Sequence, residues 1–174
     1  MTTDLLGTVD RAAGTVTLER RLRAPVEQVW AALTDPARLG DWLAPVESGA
    51  PGPDGRFVLR MNADETATCT VTTWDPPHAM RVTWDYTGEP ASELALALIA
   101  DGAGTLLRLE HTRIAVDVVP YGAGWHVHLD NLDVHLAGGD VRAEGCCGEA
   151  FMAAWESLAP RYAATDRGAP SPTA

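Results

Sequence analysis

Residues 15–22, TVTLERRL, alternate in character: Val16, Leu18, Arg20 and Leu22 fall on one side, Thr17, Glu19 and Arg21 on the other. A period of two is that of a half-buried strand, with Arg20 the charged member of its apolar set. Beyond Pro25, which a first helical turn tolerates, the period changes. Val26, Val29, Trp30 and Leu33 recur at helical spacing and predict a short helix ending near Thr34. Asp35 as a cap, with Pro36 just inside, opens a second helix of about two turns anchored by Leu39 and Trp42.

From Gly55 to His111 the period of two returns, broken by the turn signals PDG, NADE, DPPH, YTGEP and DGAG. The inward sets are Phe57, Leu59, Met61; Cys69, Val71, Thr73; Met80, Val82, Trp84; Leu94, Leu96, Leu98; and Leu107, Leu109, His111. Such short turns predict an antiparallel meander with Arg60, Arg81, Arg108 and Glu110 on its other face. In YGAGWHVHLDNLDVHLAGG, Trp125, Leu129, Leu132 and Leu136 lie within about 60° of one another at about 100° per residue. A helix over 120–137 is therefore expected to pack one side on the sheet, leave Asp130 and Asp133 exposed, and end at Gly138 and Gly139. Phe151, Met152, Trp155 and Leu158 mark a further helix ending at Pro160, and the polar, Pro/Gly-rich 164–174 has the composition of a disordered tail.

A chain of 174 residues suits one domain, taken as 1–163. The net charge of -11 repels phosphate backbones and anionic lipid heads, which argues against a nucleic-acid partner. No apolar run approaches the roughly 20 residues of a spanning helix, and Met1 to Ala13 lacks a signal-peptide pattern; a cytoplasmic protein without membrane association is expected. Cys69, Cys146 and Cys147 form neither a disulfide framework nor a zinc pattern and are expected as free thiols.

The order strand, two helices, antiparallel strands, helix, together with RRLRAPVEQVWAALTDPARLGDW (20–42), DGRFVLRM (54–61), VTTWDPPHAMRVTW (71–84), GTLLRLEHT (104–112) and GWHVHLDNLDVHLAG (124–138), resembles the activator of heat-shock protein 90 ATPase homologue-like family. That family belongs to the START/Bet v 1-like (SRPBCC) superfamily, and the resemblance covers roughly residues 15–138. It implies an α+β helix-grip fold: a curved antiparallel sheet wrapped around the long 120–137 helix, with a cavity between them. The superfamily includes lipid carriers, hormone receptors, polyketide cyclases and aromatases, and co-chaperones, so the fold alone names no activity. The segment 140–163 continues past the family's usual end. Its extra helix has three readings: a cover over a cavity mouth, an extension of the core, or a homodimer contact.

The histidines do not have metal-ligand spacing. His126 and His128 point about 200° apart, and His128 and His135 share a face but are separated by roughly 10 Å of helix rise. His126 with Asp130 has i, i+4 spacing and is read as an exposed helix contact; no metal or cofactor is expected. Ser48, Ser92, Ser157 and Ser171 lie in no nucleophile elbow, and Cys69 on an inward face is an inert small hydrophobe. A cyclase or aromatase would draw on Arg20, His111 and His128, the polar members of apolar sets. Each has a plainer reading: Arg20 paired at the sheet rim, His111 ending its strand at solvent, His128 on the helix flank.

The leading expectation is binding of a small apolar or amphipathic molecule between sheet and helix. Its lining would be Phe57, Met61, Met80, Val82, Trp84, Leu107, Leu109, Trp125, His128, Leu129 and Leu132, with no catalytic residue assigned. A sheet closed around one helix encloses more volume than that helix fills. The cyclase-like enzyme and a co-chaperone-like interaction module stand as alternatives.

Overall fold

The computed structural model describes residues 6–141 and 148–168. The elements run β1 (Thr8–Asp10), β2 (Thr15–Leu22), α1 (Val26–Thr34), α2 (Pro36–Trp42), β3 (Val46–Gly49), β4 (Arg56–Arg60), β5 (Thr66–Asp75), β6 (Ala79–Tyr86), β7 (Ser92–Asp101), β8 (Gly104–Thr112), α3 (Val118–Leu136) and α4 (Glu149–Ala163). The strands form one eight-stranded sheet in the order β1-β2-β8-β7-β6-β5-β4-β3, antiparallel at every pairing. All six strands predicted from alternation are present. The edge strands β1 and β3, three and four residues long, are too short to show a period.

Asp35 caps α2 by accepting the Ala37 N–H at 2.9 Å, and Trp42 closes the α1–α2 corner by donating its indole N–H to the Ala32 carbonyl at 2.9 Å. In β5 the alternation fails at one point. The register with β6 slips between Val71 and Thr73, and the extra residue reverses the parity beyond it. Thr73, expected inward, is exposed, and Trp74 turns inward opposite Met80, where its ring meets Trp30 edge-on at 5.0 Å.

Helix α3 starts two residues earlier than expected, at Val118, because the Asp117 carboxylate accepts the Val119 N–H and places Pro120 in the first turn. Gly138, at φ 79°, ends it. The expectation of one packed side is corrected: Trp125, His126, Val127, His128 and Leu129 are consecutive and all buried, so the middle of α3 has no solvent face. Asp130 is exposed, whereas Asp133 and Leu136 are half-buried.

The second layer over α3 is α4. Its buried Tyr162 hydroxyl accepts the Gly7 N–H at 3.1 Å and hydrogen-bonds His126 Nδ1 at 2.9 Å, tying α4 to both α3 and the start of β1. A Cβ at Gly122 would lie 2.7 Å from the Tyr162 ring and 2.9 Å from Val9, so glycine is what allows α3, α4 and β1 to approach this closely. His126 is thus no exposed helix contact; it lies under α4 with Nε2 3.5 Å from Asp130. The helix also continues through Pro160 to Ala163. Pro160 and Glu156 are exposed, so the carbonyl left without an N–H partner faces water while Leu158 and Tyr162 hold the helix down. Residues placed in the tail by composition begin with an ordered stretch: the Arg167 N–H donates to the Val9 carbonyl at 3.0 Å, and Asp166 pairs with Arg11 at 3.0 Å. Residues 169–174, and Cys146 and Cys147, lie outside the described residues.

Replacing Tyr162 by Phe leaves the Gly7 N–H and His126 Nδ1 without this partner in a buried place. A loss of about 1–3 kcal/mol in urea unfolding is expected. An unchanged midpoint would mean that this hydroxyl adds nothing to the hold on α4.

Burial pushes the His111 imidazole down to about 3, and that of His128 down to about 4, the latter against a hydrogen bond with the Trp42 carbonyl that favours protonation. Unfolded histidines titrate near 6.5, about where the unfolded chain begins to bind protons that the folded chain refuses. Stability is therefore fully present above about pH 6.5 and falls as the pH drops toward the folded values. The slope should approach about 2.7 kcal/mol per pH unit once both unfolded rings are charged, two protons at about 1.4 each. Urea midpoints across this range should show it, with roughly half the slope in His111→Asn. A midpoint that does not move with pH would show that these rings are solvated.

Candidate ligand pocket

A pocket of about 330 Å³ opens between α4, the first half of α3, and the ends of β4 and β6 with their turns. Helix α3 contributes Tyr121, Gly124, Trp125 and His128, at i, i+3, i+4 and i+7, which is one helical face. A Cβ built at Gly124 meets nothing within 4 Å, so the missing side chain is part of the open space. Helix α4 supplies the opposite wall through Phe151, Met152 and Trp155, with Trp155 fixed by donating its indole N–H to the Pro120 carbonyl at 3.1 Å. The sheet supplies Met61, Trp84 and Tyr86. Of the three readings of the extra helix, α4 takes up the first two: Phe151, Met152 and Trp155 wall the pocket, and Leu158 and Tyr162 extend the core.

Polar groups sit among these aromatic walls in fixed pairs. The Tyr86 hydroxyl donates to Glu65 Oε2 at 2.7 Å, and Asn62 donates to the same oxygen. Tyr121 donates to Glu89 Oε2 at 2.6 Å. No arginine among the described residues lines the pocket, and the chain contains no lysine. His128 packs its ring 4.9 Å from Phe151 and 5.8 Å from Trp125. The buried indole N–H of Trp84 has no hydrogen-bond partner among the described residues.

The lining expected from sequence divides into three groups. Met61, Trp84, Trp125 and His128 line the pocket. Phe57, Met80, Val82, Leu109 and Leu129 border a separate void of only about 30 Å³ on the far side of Trp84 and Trp125, the two residues that line both spaces. Leu107 and Leu132 line neither and are fully buried in the core. The centre of the grip is not hollow, because Leu33, Leu39, Trp42 and Leu43 from the α1–α2 segment reach into it and leave only that void. Sequence reasoning missed Glu65, Tyr86, Glu89, Tyr121 and Gly124, and noted Phe151, Met152 and Trp155 without their partner. The helical spacing from Tyr121 to His128, with a glycine inside it, was the available signal.

Of the three residues weighed for catalysis, His128 alone lines the pocket. Arg20 reaches from β2 to Asp130 on α3 at 3.3 Å, the paired reading. His111 does not end its strand at solvent; it is fully buried, because β7 and α3 cover it. It stands 2.7 Å from Ser92 Oγ, a spacing that suggests a nucleophile and its base. The proton inventory points the other way. Trp125 Nε1 is only a donor, and it gives its proton to His111 Nδ1 at 3.0 Å. The neutral ring therefore carries its own proton on Nε2 and donates to Ser92, whose hydroxyl donates onward to the Trp84 carbonyl at 3.2 Å. This His111 cannot accept the Ser92 proton; the chain of bonds ties the Trp125 indole to the Trp84 backbone instead. Cys69 is buried, and desolvation pushes its thiol well above the ordinary range. His126, His128 and His135 face Tyr162, Phe151 and Asp41 respectively, and no metal-binding group of three or more side chains forms among the described residues. No helix among them is long and apolar enough to cross a membrane.

Comparison with solved structures finds CalU16 from Micromonospora echinospora at 31% identity and a TM-score of 0.73, with 87% of each chain covered. Its solution structure aligns at 29% identity and a TM-score of 0.74 over 91% of each chain. DynU16, a protein of the dynemicin biosynthetic locus, shares the fold at 21% identity and a TM-score of 0.69, covering 76% of this chain and 51% of its own. No curated protein matches the chain by sequence. The family profile described as activator of Hsp90 ATPase homolog 1-like protein matches residues 23–137, from the end of β2 to the end of α3, with α4 lying beyond the match. Sequence profile and helix-grip architecture agree: the chain belongs to the activator of Hsp90 ATPase homolog 1-like family, in the SRPBCC superfamily.

Proposed function

We propose that this protein binds a small apolar or amphipathic molecule in the pocket between α3, α4 and the sheet. The observation that carries the reading is the pocket itself: about 330 Å³ bounded mainly by aromatic rings and two methionines. That volume is in the range of small-molecule sites, and walls of this kind adapt to the shape of a ligand. Helix α4 adds to the reading, since three of its apolar side chains line the pocket. Binding is favoured over catalysis because the buried Ser92–His111 pair is bonded against proton abstraction and lies outside the lining.

The test uses N-phenyl-1-naphthylamine, an uncharged probe whose fluorescence rises in apolar surroundings. Saturable binding is expected, together with a loss of at least about tenfold in affinity for Gly124→Trp, whose side chain would occupy the open space. The thermal midpoint of that variant should not fall, because the indole enters a void and tryptophan suits a helix better than glycine by about 0.5 kcal/mol. Val82 and Leu109 would be poor choices, since their void of about 30 Å³ cannot take an indole. A folded Gly124→Trp that binds the probe as wild type does would overturn the proposal.

A further inference from the structure

We infer that the pocket selects an organic cation: an apolar body carrying a protonated or quaternary amine that sits among the aromatic rings beside Glu65 and Glu89. The inference rests on the pocket being a ligand site and goes beyond it by assigning the ligand's charge.

Three features lead there. First, among the described residues the charged side chains that line the pocket are both acidic, with no arginine there, and the chain contains no lysine. Second, each carboxylate is anchored through one oxygen only. Tyr86 and Asn62 hold Oε2 of Glu65, and Tyr121 holds Oε2 of Glu89; the other oxygen of each accepts no hydrogen bond, and neither residue forms an ion pair, among the described residues. The tyrosines thus orient the carboxylates without neutralising them. Third, the walls are Trp84, Tyr86, Tyr121, Trp125, Phe151 and Trp155, rings whose faces carry the negative end of a quadrupole. Aromatic faces attract a desolvated ammonium group, and a carboxylate at the rim adds Coulomb attraction.

The alternatives fit less well. An anionic lipid or fatty acid would bring its carboxylate toward Glu65 and Glu89 with no arginine among the described lining residues to receive it, on a molecule whose net charge is -11. His128, pushed down to about 4 by burial, stays neutral at physiological pH and adds no positive charge to the wall. A wholly uncharged ligand would leave the two anchored carboxylates without a role in selection.

Three probes that share one ring system separate these cases: (1-naphthylmethyl)trimethylammonium, 1-naphthylmethanol and 1-naphthylacetate, titrated by calorimetry or ligand-observed NMR. The cation should bind about tenfold or more tighter than the alcohol, with the carboxylate weakest, and its advantage should shrink as salt is raised. In Glu65→Gln and Glu89→Gln, whose amide oxygens still accept the tyrosine hydroxyls, the ratio of cation to alcohol affinity should fall to about threefold or less in the double variant. Because the wild-type series needs no variant, the result does not depend on whether the substitutions fold. If the alcohol binds and Gly124→Trp abolishes that binding, but the cation has no advantage, the charge assignment is overturned while the pocket reading stands. If none of the three binds, both fall.

Discussion

The middle of α3 is buried on every side, and the architecture follows from covering it. The curved sheet and the α1–α2 segment enclose one side, and α4 encloses the other. A helix with an apolar stripe needs one neighbour; a helix that buries Trp125, His126, Val127, His128 and Leu129 in succession needs two layers. Tyr162 secures the second layer because its hydroxyl serves a backbone N–H of the N-terminal segment and a ring nitrogen of α3 at once. The pocket lies where that second layer lifts away from the first turns of α3, at Gly124, a position with no side chain to fill the gap.

Polar groups are divided between two environments. In the core, His111 links Ser92 on β7 to Trp125 on α3, and through Trp125 and Trp84 it fixes the boundary between the small void and the pocket. Every proton in that chain has a place, and burial keeps the ring neutral, so the network holds geometry rather than moving protons. At the pocket, the hydroxyls of Tyr86 and Tyr121 reach carboxylates, and the rings stay in the apolar wall. One side chain thus serves both packing and charge placement, which is what tyrosine offers where an apolar surface meets water.

The family match ends at residue 137, yet the pocket has a wall made by residues 151–155. Its binding surface therefore combines the helix-grip core with a segment outside the matched region. Helix α4 packs mainly on α3 and touches the edge strand β1.

Period-two alternation settled the six longer strands and the inward placement of Phe57, Met61, Met80, Val82, Trp84, Leu107 and Leu109, and helical spacing placed the four helices. These depend on local period and burial, which one strand or helix displays by itself. The bulge at β5 shows in the sequence only as a break in the alternation, with Thr72 and Thr73 both standing between Val71 and Trp74; the partner strand decides which residue is left over. The location of the empty space was not legible. Inward-facing residues from sheet and helix line a cavity only if nothing else reaches them, and Trp42, Leu39 and Leu33, distant in sequence, fill the centre. The burial of His111 and His126 was hidden for the same reason: each is enclosed by elements whose contact is set by how the layers stack. Sequence determined which face each residue takes; only the tertiary structure decided what stands opposite that face, since packing depends on the summed volume of side chains from separate segments.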